Sequence, residues 1–358
     1  MTPTLEPPFD NDPRGMAALV EGIPEQIEGA LARLSASPWP HVTRIPSTLA
    51  VGAMGGSAIA ADLTATVYSD RIPRPIAVIR DYRWPAFVTR EAFALHCSYS
   101  GATEETLALY RESSRRGVPR AALTTGGSLA MACQRENVPW HKMPAGMPPR
   151  AALFSSWVPV TGLLAALEWV DDPTPSWNRA VDDLRDLRKE IGIQVPEAEN
   201  PAKRLARALH GRFIQIYGSA GRTGAAATRL RQQLNENAKL PGHSAEVPEL
   251  NHNEIVGWER PDAFHRGVAA LILEDPDDGV EVERRLKLTG KFLSDQGADV
   301  HVLKPSGSGR LSRLAQHVVW GDYLSIYLAA LRGVDPTPVA SLDEFKRQMA
   351  AKTTGKES

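Results

Sequence analysis

The amino-acid sequence predicts an α/β protein built from two doubly wound parallel sheets. Short apolar runs alternate with helical patterns along most of the chain, which is the order of elements found in parallel α/β sheets. In each half of the chain, an apolar run ends in a Gly- and Ser-rich turn that opens a helix. The 358 residues also exceed the roughly 250–300 residues at which one hydrophobic core stops growing, so two domains are expected.

The first half contains four predicted strands with helices between them. The strands cover 48–52, 75–79, 93–99 and 121–125, and the helices cover 58–68, 103–116 and 129–135. We expect residues 1–46 to form a helical segment with a Pro-rich connection, and residues 47–170 to form the first domain. The apolar run 151–170 is long enough to cross a bilayer, but it contains Ser155, Pro159 and Glu168, so a buried core helix is the expectation.

The second half repeats this order of elements. A polar helical linker over 171–203 precedes a second domain over 204–358, which ends in helices. Its predicted strands cover 213–217, 268–273 and 299–303, and its predicted helices cover 223–237, 280–296 and 311–332. The strand, Gly/Ser turn and helix that open each half favour an internal duplication.

Composition excludes several classes of function. With 41 basic and 42 acidic residues the formal net charge is -1, so no general attraction to nucleic acid exists. Cys97 and Cys133 provide no disulfide framework, and neither they nor the nine His show the spacing of a metal cluster. We therefore expect no metal, no cofactor, no membrane partner and no nucleic-acid partner. Without the apolar run of a signal peptide near Met1, a cytoplasmic location is expected.

A turn rich in hydroxyl groups lies where the strand 93–99 gives way to a helix. Ser98, Ser100 and Thr103 offer hydroxyl donors there, and Gly101 permits a tight turn and close approach of a ligand. A helix N-terminus exposes unpaired backbone N–H groups and the positive end of the helix dipole, which together bind phosphate. Simple N-capping of the helix is the alternative interpretation.

A second turn, 52–57, occupies the same place after the first strand. It contains Gly55, Gly56 and Ser57, and its position strengthens the interpretation of both turns as phosphate-binding. It lacks the lysine of an ATP-binding P-loop and does not match a dinucleotide fingerprint.

The segment 233–257 is a candidate for proton transfer. It places Glu236 and His252 among four asparagines, and asparagine can hold a hydroxyl-rich ligand by donating and accepting hydrogen bonds at once. Glu236 falls near the C-terminal end of a predicted helix, where the helix dipole disfavours a carboxylate. A surface glutamate and a structural histidine are the alternatives for these two residues.

Several motifs together resemble the bifunctional phosphoglucose/phosphomannose isomerase family. They lie at 54–59, 98–107, 248–257, 321–329 and 333–338, and the resemblance extends from roughly residue 48 to residue 348. The last two motifs and the segment around His252 are typical of this branch, whereas the first two recur in many sugar-isomerase (SIS) proteins. The resemblance implies two SIS domains, each a flavodoxin-like sheet in a three-layer αβα arrangement.

The resemblance also implies a role for each matching residue. Ser57, Ser98, Ser100 and Thr103 would hold the phosphate of the sugar, together with the glycines of the two turns, which are Gly55, Gly56 and Gly101. Glu236 would be the base that moves a proton between C1 and C2, and Arg150 would stabilise the enediolate. His252 and Lys346 would open the sugar ring.

In the family this histidine comes from the neighbouring subunit, so the resemblance implies a homodimer. One departure is visible, because Ala102 stands where the family usually has Asn after Ser-Gly. The residue types alone leave Arg150 as a solvated arginine and Lys346 as part of a solvated helix face as alternatives.

The leading hypothesis is therefore an aldose–ketose isomerase. It would interconvert glucose 6-phosphate, and also mannose 6-phosphate, with fructose 6-phosphate by a metal-independent transfer of a proton through a cis-enediol. An isomerase restricted to one hexose phosphate is one alternative, and a non-catalytic SIS sensor is another. A sensor would usually carry a DNA-binding module, which the short, Pro-rich segment before the first strand does not suggest. An aminosugar synthase would need an N-terminal cysteine nucleophile, whereas the sequence starts Met-Thr-Pro.

Overall fold

The computed structural model of the protein describes residues 4–353, with side chains described as far as residue 349. Two helices, α1 (Met16–Glu21) and α2 (Ile23–Ala36), precede the first strand. This arrangement agrees with the predicted helical segment, although the domain boundaries themselves stay predictions.

The first sheet has five parallel strands in the order β2-β1-β3-β4-β5. Its elements in chain order are β1 (Thr48–Ala53), α3 (Gly55–Val67), β2 (Ile76–Ile79), β3 (Ala92–Ser98), α4 (Glu104–Arg116), β4 (Arg120–Thr124), α5 (Gly127–Glu136), β5 (Trp140–Lys142) and α6 (Leu153–Ala166). The chain reverses its direction of winding between β1 and β3. In doubly wound sheets, ligands bind at the carboxyl ends of the strands at this switch point.

The second sheet has four parallel strands in the order β7-β6-β8-β9. The elements from the linker onward are α7 (Thr174–Ile191), α8 (Pro201–Leu209), β6 (Phe213–Ser219), α9 (Gly224–Glu236), β7 (Gly242–Val247), α10 (Ala263–Arg266), β8 (Val268–Leu273), α11 (Val280–Asp295), β9 (Asp299–Leu303), α12 (Arg310–Arg332) and α13 (Ala340–Thr353). The strand order repeats that of the first sheet without its last strand.

One apolar core joins the two sheets. Successive side chains of a strand point to opposite faces, so Leu49 and Val51 of β1 join this core together with Ile214 and Ile216 of β6. Ala50, between the first two, faces α4 in a smaller cluster on the outer side. Helices α3, α6 and α12 lie within the shared core, and α12 is buried along nearly its whole length.

The structure adds two strands that the sequence did not predict, β5 and β7. Both lie at sheet edges and are short or polar, and β7 contains His243, Ser244 and Glu246. The buried helix α6 (Leu153–Ala166) forms within the run 151–170, where a core helix is expected. None of the helices within residues 4–353 is long and apolar enough to cross a membrane.

Candidate active site

The two predicted phosphate turns lie side by side, because β1 and β3 are neighbours in the first sheet. In the turn 98–103, the Ser98 Oγ lies 2.8 Å from the Thr103 Oγ1, and the backbone N–H of Ala102 donates to the Ser100 Oγ at 3.2 Å. Thr103 is the N-cap of α4, yet its side chain does not cap the helix. The hydroxyl groups of this turn and the first amides of α4 therefore lie close together between β3 and α4.

Only glycine fits at position 101. The backbone there has a φ of +66°, and a Cβ atom would lie 1.8 Å from the carbonyl oxygen of Gly126. The turn thus packs directly on the segment that follows β4. Gly55, at the start of α3, also has a positive φ of +48°, but it faces open space.

The N-terminal end of α3 contacts the segment that carries Arg150. A Cβ atom on Gly56 would lie 3.5 Å from the Cα of Arg150, and Ser57 is the next residue of α3. Arg150 lies in a short 3₁₀ helix, Pro149–Ala152, immediately before α6. The structure therefore places the predicted cation next to the predicted phosphate turn at the start of α3.

The Arg150 side chain is buried, and each of its three nitrogen atoms has an acceptor in the protein. Its Nε donates to the Oδ1 of Asn237 at 2.6 Å, and its Nη2 donates to the carbonyl oxygens of Pro336 at 2.5 Å and Thr337 at 2.8 Å. Its Nη1 lies 3.4 Å from the Oε2 of Glu236. Burial lowers the pKa of Arg150, and the Glu236 carboxylate opposes that effect, but a guanidinium stays charged in proteins.

Glu236 is the last residue of α9, as predicted. Its side chain is 30% exposed, so it faces Arg150 on one side and solvent on the other. We call this solvent-accessible space beside Glu236 the cleft. The carbonyl oxygen of Glu236 accepts a hydrogen bond from the Lys239 Nζ at 2.5 Å. This ammonium group offsets the negative end of the helix dipole at the residue where a carboxylate is otherwise disfavoured.

A buried ion pair between Arg229 and Asp322 holds the backbone of Arg150 in place. The Arg229 Nη2 donates to the carbonyl oxygen of Arg150 at 2.8 Å and lies 3.1 Å from the Oδ1 of Asp322. Asn237 is held in turn, because its Nδ2 donates to the Ser325 Oγ at 2.9 Å. Burial raises the pKa of Asp322, while the Arg229 guanidinium lowers it. Helix α12, which carries Asp322 and Ser325, thus fixes the position of both predicted catalytic groups.

In the described part of the chain, His252 and Lys346 are not part of the hydrogen-bond network around Arg150 and Glu236. His252 ends a short 3₁₀ helix, Glu249–His252, and is exposed, while Lys346 is exposed on α13. Within residues 4–349, no hydrogen bond or ion pair joins either of them to Arg150 or Glu236. The ring-opening roles of these two residues stay predictions.

The sequence interpretation missed the groups that hold Arg150 and Glu236 in place. Asn237 and Lys239 stand beside Glu236 in the sequence, and Asp322 and Thr337 fall in the two C-terminal motifs. The motifs marked these segments, but the pairing of Asn237 with Arg150 joins residues 87 positions apart. No local pattern could have shown that contact.

The fold and the two turns at the switch point define a protein made of two SIS-type domains. A solved structure with this fold is the C-terminal domain of glucosamine-fructose-6-phosphate aminotransferase from Francisella tularensis, at a TM-score of 0.72 and 14% identity. It covers 93% of this chain and 100% of that one.

Residues 198–349 match the family described as the bacterial phospho-glucose isomerase C-terminal SIS domain. Over 83% of its length the chain is 36% identical to the bifunctional phosphoglucose/phosphomannose isomerase of Caldicellulosiruptor bescii, and it covers 88% of that protein. It is 31% identical to the enzyme of the same name from Aquifex aeolicus, with the same coverage of both chains. The chain belongs to the bifunctional phosphoglucose/phosphomannose isomerase family.

Proposed function

We propose that the protein interconverts glucose 6-phosphate and mannose 6-phosphate with fructose 6-phosphate. The observation that carries this proposal is the pair of Glu236 and the buried Arg150, 3.4 Å apart and next to the N-terminus of α3. A base and a fixed cation beside a phosphate-binding turn are the groups that an aldose–ketose isomerisation requires.

The phosphate of the substrate binds, on this proposal, between the two turns of the first domain. Ser57, Ser98, Ser100 and Thr103 donate hydroxyl groups, and the first amides of α3 and α4 add backbone donors. Gly55, Gly56 and Gly101 allow the oxygens to approach the backbone closely. Ala102 removes one side-chain amide relative to the family, but the backbone donors remain.

The proton moves between C1 and C2 through Glu236. With the phosphate anchored in the first domain, the sugar carbons extend toward the cleft side of the Glu236 carboxylate. As the proton leaves C2, negative charge develops on the oxygen at C1, and the Arg150 guanidinium stabilises that charge without donating a proton. Because glucose and mannose differ only at C2, one enediol serves both sugars.

Among the described residues, His252, the residue proposed for ring opening, has no hydrogen bond to the network of Arg150 and Glu236, which is why we propose a homodimer. His252 is exposed in one protomer and would reach the site of its partner. Three side chains at helical spacing on α13 are exposed as well, namely Leu342 at 48%, Phe345 at 64% and Met349 at 45%. A second copy that covers this apolar face would also fix Lys346, which lies on the same helix, beside the ring oxygen.

The proposed location is the cytoplasm. Cys97 and Cys133 are buried and unpaired, which is in keeping with a reducing compartment. The substrate class agrees with that location, because hexose phosphates carry charge and do not cross membranes freely.

A defined assay tests the function. Purified protein is incubated with each aldose phosphate in EDTA, and fructose 6-phosphate is measured for wild type, for Glu236→Gln and for Glu199→Gln as a control at an exposed site. We expect Glu236→Gln to lose about 10²–10⁴-fold in kcat and the control to match wild type. An inactive wild type would show the enzyme proposal to be wrong and favour the sensor. Turnover of one sugar only would remove the dual specificity.

A further inference from the structure

Lys239 occupies an unusual place beside the proposed base. Its backbone has a φ of +52°, one of three positive values outside glycine among the described residues. A left-handed backbone is unfavourable for a residue with a Cβ atom, so the conformation persists where surrounding contacts enforce it. In this position the chain turns sharply after α9 and directs the Lys239 side chain back over the helix end.

The Lys239 ammonium group joins two segments of the site. Its Nζ donates to the carbonyl oxygen of Glu236 at 2.5 Å and to the carbonyl oxygen of Pro336 at 3.2 Å. The second oxygen is also the acceptor of the Arg150 Nη2 at 2.5 Å. One carbonyl thus binds both cations, and Lys239 ties the helix of the base to the segment that holds the arginine.

The surroundings of Lys239 disfavour the charged form of its side chain. Burial lowers the pKa of Lys239, and the Arg150 guanidinium lowers it further, against the attraction of Asp335 and Glu236. A lysine that served only as a helix cap could reach the carbonyl of Glu236 from solvent, without lying next to a second cation. The positive charge is instead placed where the negative end of the α9 dipole meets the Glu236 carboxylate.

We propose that Lys239 is a positioning residue for the isomerisation, which holds the backbone of Glu236 at a fixed distance from Arg150 and offsets the dipole of α9. This inference rests on the proposed function. It assigns Lys239 no contact with the substrate. Its loss should therefore lower the rate of proton transfer and leave the binding of the phosphate group unchanged.

The experiment compares Lys239→Met, Lys239→Gln and Lys239→Arg with wild type and with Lys142→Met, a control at an exposed lysine of β5. The readouts are kcat and KM for glucose 6-phosphate, inhibition by inorganic phosphate, and the thermal unfolding midpoint. We expect Lys239→Met to lower kcat by about 10²-fold, the size of effect that a small misplacement of a reacting group produces. KM and phosphate inhibition should stay as in wild type.

The other variants separate charge from geometry. Lys239→Arg can donate to both carbonyl oxygens and should restore most of kcat, whereas the neutral Lys239→Gln should restore only a small part. If Lys239→Met does not fold, Lys239→Gln carries the test. A wild-type kcat in the neutral variants would overturn the inference, and so would a loss that Lys239→Arg does not reverse or a parallel rise of KM and of the phosphate inhibition constant. An inactive wild-type protein would instead overturn the proposed function.

Discussion

Replacing Arg150 by lysine keeps the positive charge and removes the geometry that the site uses. The arginine reaches an amide oxygen and two carbonyl oxygens with Nε and Nη2, while Nη1 faces Glu236. A lysine has its donors on one nitrogen atom and cannot reach acceptors spread around a guanidinium plane.

The size of the effect follows from these contacts. Pro336 keeps one partner in the variant, because the Lys239 Nζ also donates to its carbonyl oxygen. At least one of the two remaining neutral acceptors, on Asn237 and Thr337, then loses its donor inside the protein. A buried acceptor without a partner costs about 1–3 kcal/mol, so the free energy of unfolding should fall by that amount. Loss of an aligned donor for the developing oxyanion should lower kcat by about 10²–10³-fold.

Two assays measure these effects. Urea unfolding gives the change in stability, and turnover of glucose 6-phosphate gives kcat and KM. Arg284→Lys, at an exposed position on α11, is the matched control and should change neither. If Arg150→Lys kept kcat/KM within about threefold of wild type, equivalent to about 0.7 kcal/mol in the barrier, the guanidinium geometry would not be what the reaction uses.

Three further outcomes follow from the structure. Asp322→Asn leaves the buried Arg229 guanidinium without its carboxylate and should cost about 3–5 kcal/mol in urea unfolding; a loss below about 1 kcal/mol would contradict this. Gly101→Ala forces a Cβ atom to within 1.8 Å of a carbonyl oxygen and should abolish inhibition by inorganic phosphate, whereas Gly309→Ala, outside the two turns and with no atom within 4 Å of the added Cβ atom, should retain it. Burial lowers the pKa of His317 to about 4, whereas a histidine in the unfolded chain has a pKa of about 6.5. Between these two pH values the unfolded chain binds more protons than the folded one, so the free energy of unfolding should fall as the pH drops from about 6.5 to about 4. His317→Gln should flatten that part of the urea-unfolding profile, and an unchanged slope would refute the assignment.

The central strands could be predicted from the sequence because they are apolar on both faces. Every residue of β1, β3 and β8 is buried, and a continuous apolar run between helical patterns has few other interpretations. Strand β7 has no such signal. It lies at the edge of the second sheet, only Val247 is fully buried, and its composition resembles that of a polar loop.

The candidate site also has some parts that the sequence predicts and others that it does not. The turns that contain Ser57 and Ser98 carry a local signal, since a Gly/Ser turn between strand and helix has a physical meaning in itself. The roles of Glu236 and Arg150 are implied by the family resemblance alone, and the structure places their side chains 3.4 Å apart. The supporting contacts of Asp322 and Lys239 depend on tertiary structure, because they join segments that are distant in the sequence.

The candidate site combines segments that flank different sheets. Arg150 lies between the first sheet and α6, whereas Glu236 ends α9, which packs on the second sheet, so their distance is set by how the two sheets pack. That packing is a single apolar core with α12 inside it, and α12 supplies Asp322 and Ser325 to the network behind both groups. A shared core of this kind resists the hinge motion that separate domains with small interfaces undergo. On the proposed mechanism, this packing keeps the carboxylate of Glu236 and the guanidinium of Arg150 aligned before any sugar binds, which would lower the reorganisation that the reaction requires.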